Sequence, residues 1–255
     1  MLVFHKVEDI QNHIQSLKSD GKTIGFVPTM GALHQGHLSL IECSKTECNL
    51  TVASIFVNPT QFNDPKDYDK YPRMTDSDSQ LLRENGCDIL FLPSVEEMYQ
   101  HPLLGITPLD IGYLDTILEG AKRPGHYRGV ATIVEKLFLA VQPDKVYMGL
   151  KDFQQVKVIE KLVLDKNMSI EIIGCPTLRE SNGLAMSSRN MRLSEDGKQK
   201  AGDIYHVLEF IQKHRAVDTP ERVLAQAKEM IVSKGYWDLE YLELRNAHDL
   251  SEIDK

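Results

Sequence analysis

No apolar run among the 255 residues approaches the length of a membrane span, and the opening MLVFHKVEDIQNH lacks the apolar core and small-residue cleavage site of a signal peptide. A cytoplasmic protein with no membrane partner is therefore expected. The four cysteines (Cys43, Cys48, Cys87, Cys175) form no C-x-x-C pair, so redox chemistry has no support. Cys87 and Cys175 lie beside strand-like segments, where a buried thiol behaves as a small apolar residue. No long Lys/Arg run offsets the net charge of −8, which arises from 29 basic and 37 acidic groups. That balance argues against nucleic acid as a partner but leaves an anionic small molecule open. Also missing are G-x-G-x-x-G, the Walker lysine and H-E-x-x-H. There is no internal repeat and no low-complexity tract.

What is present alternates strand and helix signals. Residues 22–27, 50–57, 88–92, 145–148 and 170–173 read as short buried strands rich in branched residues. In 129–142, Val130, Ile133, Val134, Leu137, Phe138 and Val141 follow helical spacing and share one face. Thr75 and Asp78 read as a helix start with a capping carboxylate. Together these predict a Rossmann-like α/β domain over 1–175, a parallel sheet with helices on both faces, whose ligands lie beyond the C-terminal strand ends. After Pro176 come a loop, helices begun at Ser194 and at Thr219-Pro220, and the alternating DLEYLELRNA (238–247), which reads as a strand. A smaller α+β domain over 176–255 is expected.

The stretch PTMGALHQGHLSL (28–40) places two histidines in H-x-G-H where a strand turns into a helix. Backbone N–H groups at such a turn favour an anion, and Gly36 admits close approach. His34 and His37 by themselves leave metal, phosphate and plain helix start open. At the same predicted sheet edge lie Asn58 and Gln61 in SIFVNPTQF, and Gly149, Lys151, Asp152 and Gln155 in GLKDFQQV. Each has an ordinary reading as a turn or surface residue, yet a lysine opening a helix opposes the dipole and hints at an anion. Ser187, Ser188 and Arg189 in LAMSSRN bring two hydroxyls and a fork-shaped cation suited to phosphate oxygens, and a Ser-rich hinge would look alike.

H-x-G-H after the first strand and a M-S-x-[KR]-type loop after the last resemble the nucleotidylyltransferase superfamily. PTMGALHQGH, SIFVNPTQF, YPR (71–73), LEGAKRPGHYRGV, GLKDFQQV and GLAMSSRN, in that order between residue 24 and about residue 193, are similar to the pantoate–β-alanine ligase (pantothenate synthetase) family. The resemblance implies a two-step ligation. ATP and (R)-pantoate give an enzyme-bound pantoyl adenylate and pyrophosphate, and β-alanine then displaces AMP to give pantothenate. It implies ATP as co-substrate, Mg²⁺ with its phosphates, and a homodimer. Met30, Gly31, His34, His37, Gly149, Leu150, Lys151 and Asp152 would frame ATP, with Asp152 toward the ribose and the Leu178 backbone toward adenine. Met186, Ser187, Ser188 and Arg189 would close on the phosphates. His34, His37, Lys151 and Arg189 would be catalytic. Gln61, Gln155 and Asn58 would hold pantoate, with Gln61 also near β-alanine.

No protein metal ligand is assigned by this resemblance; Asp76 and Asp78 are the carboxylates near the expected ion. Whether His37 donates a proton or only stabilises charge is open at this level. The family often has Glu where Leu150 stands and an apolar residue where Thr60 stands. It also usually continues beyond a point like Lys255, which implies a short or truncated C-terminal lid. The apolar stretch 52–57 reads equally as core or as a dimer interface. A transferase acting on a phosphate ester would favour cationic grips over Gln61 and Gln155. A nucleotide-binding protein with a degenerate site would not keep His34, His37, Lys151 and Arg189 together. A tRNA synthetase relative lacks room for a tRNA-reading domain.

Overall fold

Apolar, branched runs without polar alternation are suited to strands buried on both faces, and the computed structural model, which describes residues 1–62, 65–105 and 109–253, forms them. The chain divides into two compact units, Met1–Thr177 and Leu178–Lys255. Asp254 and Lys255, the last residues of the expected C-terminal domain, lie outside the described residues.

The first unit runs β1 (Leu2–Phe4), α1 (Val7–Ser19), β2 (Ile24–Thr29), α2 (Gln35–Glu47), β3 (Leu50–Ile55), α3 (Pro65–Asp69), α4 (Thr75–Glu84) and β4 (Ile89–Phe91). It continues with α5 (Val95–Gln100), α6 (Leu118–Lys122), α7 (His126–Val141), β5 (Lys145–Gly149), α8 (Phe153–Asp165) and β6 (Glu171–Cys175). The six strands form one parallel sheet in the order β1-β4-β3-β2-β5-β6. From β2 the chain steps through β3 and β4 toward one edge. It then crosses back to place β5 on the other side of β2, with Gly25 opposite Lys145 and Phe26 opposite Val146. The strand order therefore reverses between β2 and β5, and a parallel sheet opens a ligand crevice beyond the strand ends at such a point.

β3 lies inside the sheet, and Val52, Ala53, Ile55 and Phe56 are buried, so the stretch read as core or interface is core. The six apolar positions predicted to share one face of α7 are all buried, but Tyr127, Ala131, Glu135, Lys136 and Ala140 are buried as well. This helix is enclosed nearly all round rather than half exposed. Burial pushes the thiols of Cys87 and Cys175 up to about 12, as befits inert core residues.

In the second unit, Ser194 caps α9 (Glu195–Ala201) by accepting from the Gly197 N–H at 3.0 Å, and Thr219 caps α11 (Pro220–Val232). The helical segment expected from Ser194 is broken at Gly202, where a Cβ would stand 2.6 Å from the Asn182 carbonyl oxygen; α10 (Asp203–His214) follows. The strand expected over 238–247 does not form. Only Arg245 makes a bridge, to Glu252, and Leu239, Leu242 and Leu244 pack instead with Trp237 on the α10–α11 core of Val207, Ile211, Val223, Ala227 and Ile231. The alternation reported one buried side, which a helical layer covers as well as a sheet does.

Candidate active site

β2 ends at Thr29, and the chain then makes a turn that few residues tolerate. Gly31 has φ +81° and Ala32 φ +50°, both in the left-handed region. His34 follows as the N-cap of α2. Its Nδ1 accepts the Gly36 N–H at 3.1 Å, and His37 Nδ1 accepts the His34 N–H at 3.3 Å, a capping box built from two imidazoles. The ring centroids are 4.1 Å apart.

This corrects one sequence expectation. The Gly36 and His34 N–H groups are consumed within the turn, and the His37 N–H is bonded to the His34 carbonyl at 2.8 Å, so these amides are not open to an anion. Because each Nδ1 is an acceptor, the neutral rings carry their proton on Nε2, on the side away from the cap. Burial, with smaller contributions from the His34 and Lys151 charges, pushes His37 down to about 3. At neutral pH His37 is therefore an uncharged Nε2–H donor.

A stability consequence follows. Between pH 6.5 and about 3 the unfolded His37 binds a proton that the folded ring refuses, so stability falls as pH falls through that window. From pH 7 to pH 5 the loss assigned to this ring is about 1–2 kcal/mol, allowing for residual solvent access. Unfolding titrations at the two pH values should show that loss in the parent and not in His37→Gln.

The neighbouring strand, β3, leads into the turn Pro59–Gln61. Asn58, expected at the pantoate site, is buried and fully engaged: its amide donates to the Gly129 carbonyl at 3.1 Å and to Gln61 Oε1 at 3.3 Å. Its Oδ1 accepts the Tyr99 hydroxyl at 2.6 Å and the Thr60 N–H at 3.4 Å. Asn58 is thus a bracket for the turn rather than a group facing a ligand. The Thr60 hydroxyl is matched by Tyr99 at 2.8 Å. Gln61 is partly buried, and its Nε2 reaches Met30 Sδ at 2.7 Å, which joins the β3 turn to the β2 turn.

Across the strand-order reversal, β5 ends in a 3-10 turn, Leu150–Asp152, that opens α8. Lys151 Nζ rests 3.2 Å from Asp152 Oδ1, both exposed, and its charge is felt at His37. Gly149 is required by nothing in the protein: its φ is −72°, and a Cβ there would meet no atom within 4 Å. The Leu150 side chain lies over Gly174, where a Cβ would come 2.6 Å from Leu150 Cδ2, so it packs on the sheet. Gln154 and Gln155 divide their labour. Gln154 is buried and donates to the Leu114 and Ile117 carbonyls at 2.8 and 3.0 Å. Gln155 is partly buried, and among the described residues its side chain has no hydrogen-bond partner.

The remaining expected residues belong to the second unit. The Leu178 carbonyl accepts the Met186 N–H at 3.0 Å, and Arg179 bridges Ala185, forming a narrow hairpin. Ser187 caps the following turn, Ser188–Arg192, by accepting the Arg189 N–H at 3.3 Å, while Arg189 is exposed.

The roles of two residues escaped the sequence reading. Tyr99 orients Asn58. Asp78, read as its own helix's cap, does nothing there: Met74 is at the N-cap of α4 with no side-chain cap. Asp78 instead accepts the Ala32 and Leu33 N–H groups, each at 2.8 Å. A carboxylate one turn into a helix has no local signature of such a distant partner.

A family model described as pantoate-beta-alanine ligase matches residues 2–255. The pantothenate synthetase of Cytophaga hutchinsonii is 49% identical over 255 residues, covering 99% of this chain and 89% of that protein. That of Porphyromonas gingivalis is 43% identical over 254 residues, covering 100% and 90%. Among solved structures, pantothenate synthetase from Thermus thermophilus superposes with a TM-score of 0.92 at 38% identity, covering 99% of this chain and 90% of the other. Pantoate-beta-alanine ligase from Francisella tularensis, complexed with beta-gamma ATP and beta-alanine, gives 0.76 at 39% identity, covering 90% and 86%. The chain belongs to the pantoate–beta-alanine ligase family.

Proposed function

We propose that this protein joins (R)-pantoate to β-alanine at the expense of ATP, through a pantoyl adenylate. The observation that carries this reading is the pair of Nδ1-capped imidazoles after β2, next in the sheet to β5, whose following Lys151 is near enough for its charge to act on His37. In the first step a pantoate carboxylate oxygen attacks the α-phosphorus, and the bond to pyrophosphate breaks. Charge grows on a polyanion that is already crowded, so donors fixed before the reaction lower the barrier most. His34 and His37 supply Nε2–H groups, and Lys151 a mobile ammonium that exchanges Asp152 for phosphate. The open face of Gly149 leaves room for the nucleotide, with the exposed Asp152 suited to ribose hydroxyls. Ser187, Ser188 and Arg189 would complete the phosphate contacts. In the second step the β-alanine nitrogen attacks the acyl carbon, the acyl–oxygen bond to AMP breaks, and the amine proton leaves to solvent.

Gln61 and Gln155 are the pantoate grips in this reading. A neutral amide orients the carboxylate without over-stabilising it before it reacts. Asn58 acts on pantoate only through Gln61. Mg²⁺ would shield the triphosphate. Among the described residues no three His, Cys, Asp or Glu side chains cluster, and both Asp78 oxygens already accept N–H groups. Of the two carboxylates Asp76 and Asp78, the exposed Asp76 is the one that would be free to help hold the ion, which would offset phosphate charge. We assign a cytoplasmic homodimer on family grounds, and sedimentation would test the stoichiometry; no helix among the described residues is long and apolar enough to cross a membrane.

Labelled pyrophosphate should exchange into ATP when pantoate and Mg²⁺ are present and β-alanine is not. No exchange by the folded protein would overturn the adenylate route.

A further inference from the structure

We infer that Asp78 is a positioning residue for the His34–His37 pair, holding the backbone turn from which both imidazoles are presented. The inference deepens the ligase reading and rests on it for its consequence in catalysis. Asp78 is 1% exposed, and its two oxygens divide between two successive amides, Oδ2 to Ala32 and Oδ1 to Leu33, across 46 and 45 residues of sequence. A backbone that passes through the left-handed region can turn successive N–H groups onto one anion, forming a concave nest. Here that backbone is Gly31 at φ +81° and Ala32 at φ +50°. A non-glycine residue at such an angle is disfavoured and persists only with outside support.

The fit is close on every side. A Cβ at Gly31 would stand 2.9 Å from Asp78 Oδ2, so glycine and carboxylate are matched. The Thr29 hydroxyl accepts the Gly31 N–H at 3.2 Å and donates to the Ser54 carbonyl at 2.7 Å, which fixes the start of the turn to the sheet. Asp78 fixes its end. The next residue is His34, whose extended backbone and Nδ1 set the capping box and therefore the direction of both Nε2–H groups. A carboxylate on α4 thus controls imidazoles on α2 without touching substrate.

Asp78→Asn keeps the volume but places an NH₂ where one amide needs an acceptor. In histidine ¹⁵N spectra the ring signals of His34 and His37 should move in this variant, which should stay folded with its melting temperature lowered by about 2–12 °C. Pantoate-dependent pyrophosphate exchange should fall by about 10–100-fold, with the pantoate KM changed less than about 3-fold, as a sub-ångström misplacement of donors predicts. Added to His37→Ala, the substitution should cost less than about 3-fold more, because residues acting through one another are not additive. Unmoved ring signals, parent-like exchange in folded Asp78→Asn, or losses that multiply in the double variant would each overturn the inference. Should Asp78→Asn not fold, Gly31→Ala perturbs the same contact from the other side and carries the same expectations. Absence of exchange in the parent would count against the ligase reading, and the ring signals would still decide the role of Asp78.

Discussion

His37→Ala should lower pantoate-dependent pyrophosphate exchange by about 10²–10³-fold, the loss associated with one prearranged transition-state donor, while the protein stays folded. The size follows from where the donor sits. Its Nδ1 is tied to the His34 N–H at 3.3 Å, so the ring does not reorganise as charge develops. Its pKa of about 3 means that it donates a hydrogen bond rather than a proton at neutral pH. That distinction is testable at the same position. Asn at 37 can accept the His34 N–H and still present an N–H outward, so His37→Asn should keep about 10-fold more activity than His37→Ala. Equal loss in both would mean that proton transfer is essential. Lys151→Ala should fall in the same 10²–10³-fold range for a different reason, the removal of a full charge from the leaving group. Near-parent exchange in either alanine variant would show that its role is misassigned.

Much of this geometry was readable from residue order, and the reasons for the rest are physical. β2 and β3 announce themselves because six consecutive positions must satisfy burial on two faces. β1 is three residues long, too short to carry a period, and has no signature in the sequence. The residue types of the site were legible because phosphate chemistry needs cations, imidazoles and small turn residues at strand ends. Their partners were not, since Asp78 to Ala32 and Asn58 to Gly129 are contacts across 46 and 71 residues that only the folded sheet brings together. Asn58 shows the same limit from the other side. Its type and place suit a ligand contact equally well, and only burial and four engaged hydrogen bonds reveal the bracket. At 238–247 the alternation was real, but a period of two records one covered side and does not say whether a strand or a helix pair covers it.

Gly129→Ala should destabilise the protein and displace Gln61, although the same change in an open helix would help by about 1 kcal/mol. A Cβ at this position in the first turns of α7 would lie 2.5 Å from the Thr60 carbonyl oxygen and 3.0 Å from Gln61 Cα. Those atoms are backbone, so neither can rotate away. Two ties also hold the two segments together: Asn58 to the Gly129 carbonyl at 3.1 Å, and a 2.8 Å bond between His126 Nδ1 and the Gln61 carbonyl. Opening the gap for one methyl group must stretch both of these as well as relieve the overlap. Overpacking of this kind costs about 1–3 kcal/mol, which outweighs the gain in helix propensity. A net loss of about 1–2 kcal/mol would lower the melting temperature by about 2–8 °C for a chain of this size. The rate should suffer more than the stability, because a 1 Å displacement of a positioning group can cost about 10²-fold. A raised melting temperature with exchange intact would show that the Pro59–Gln61 turn yields freely, and that Gly129 does not set the place of Gln61.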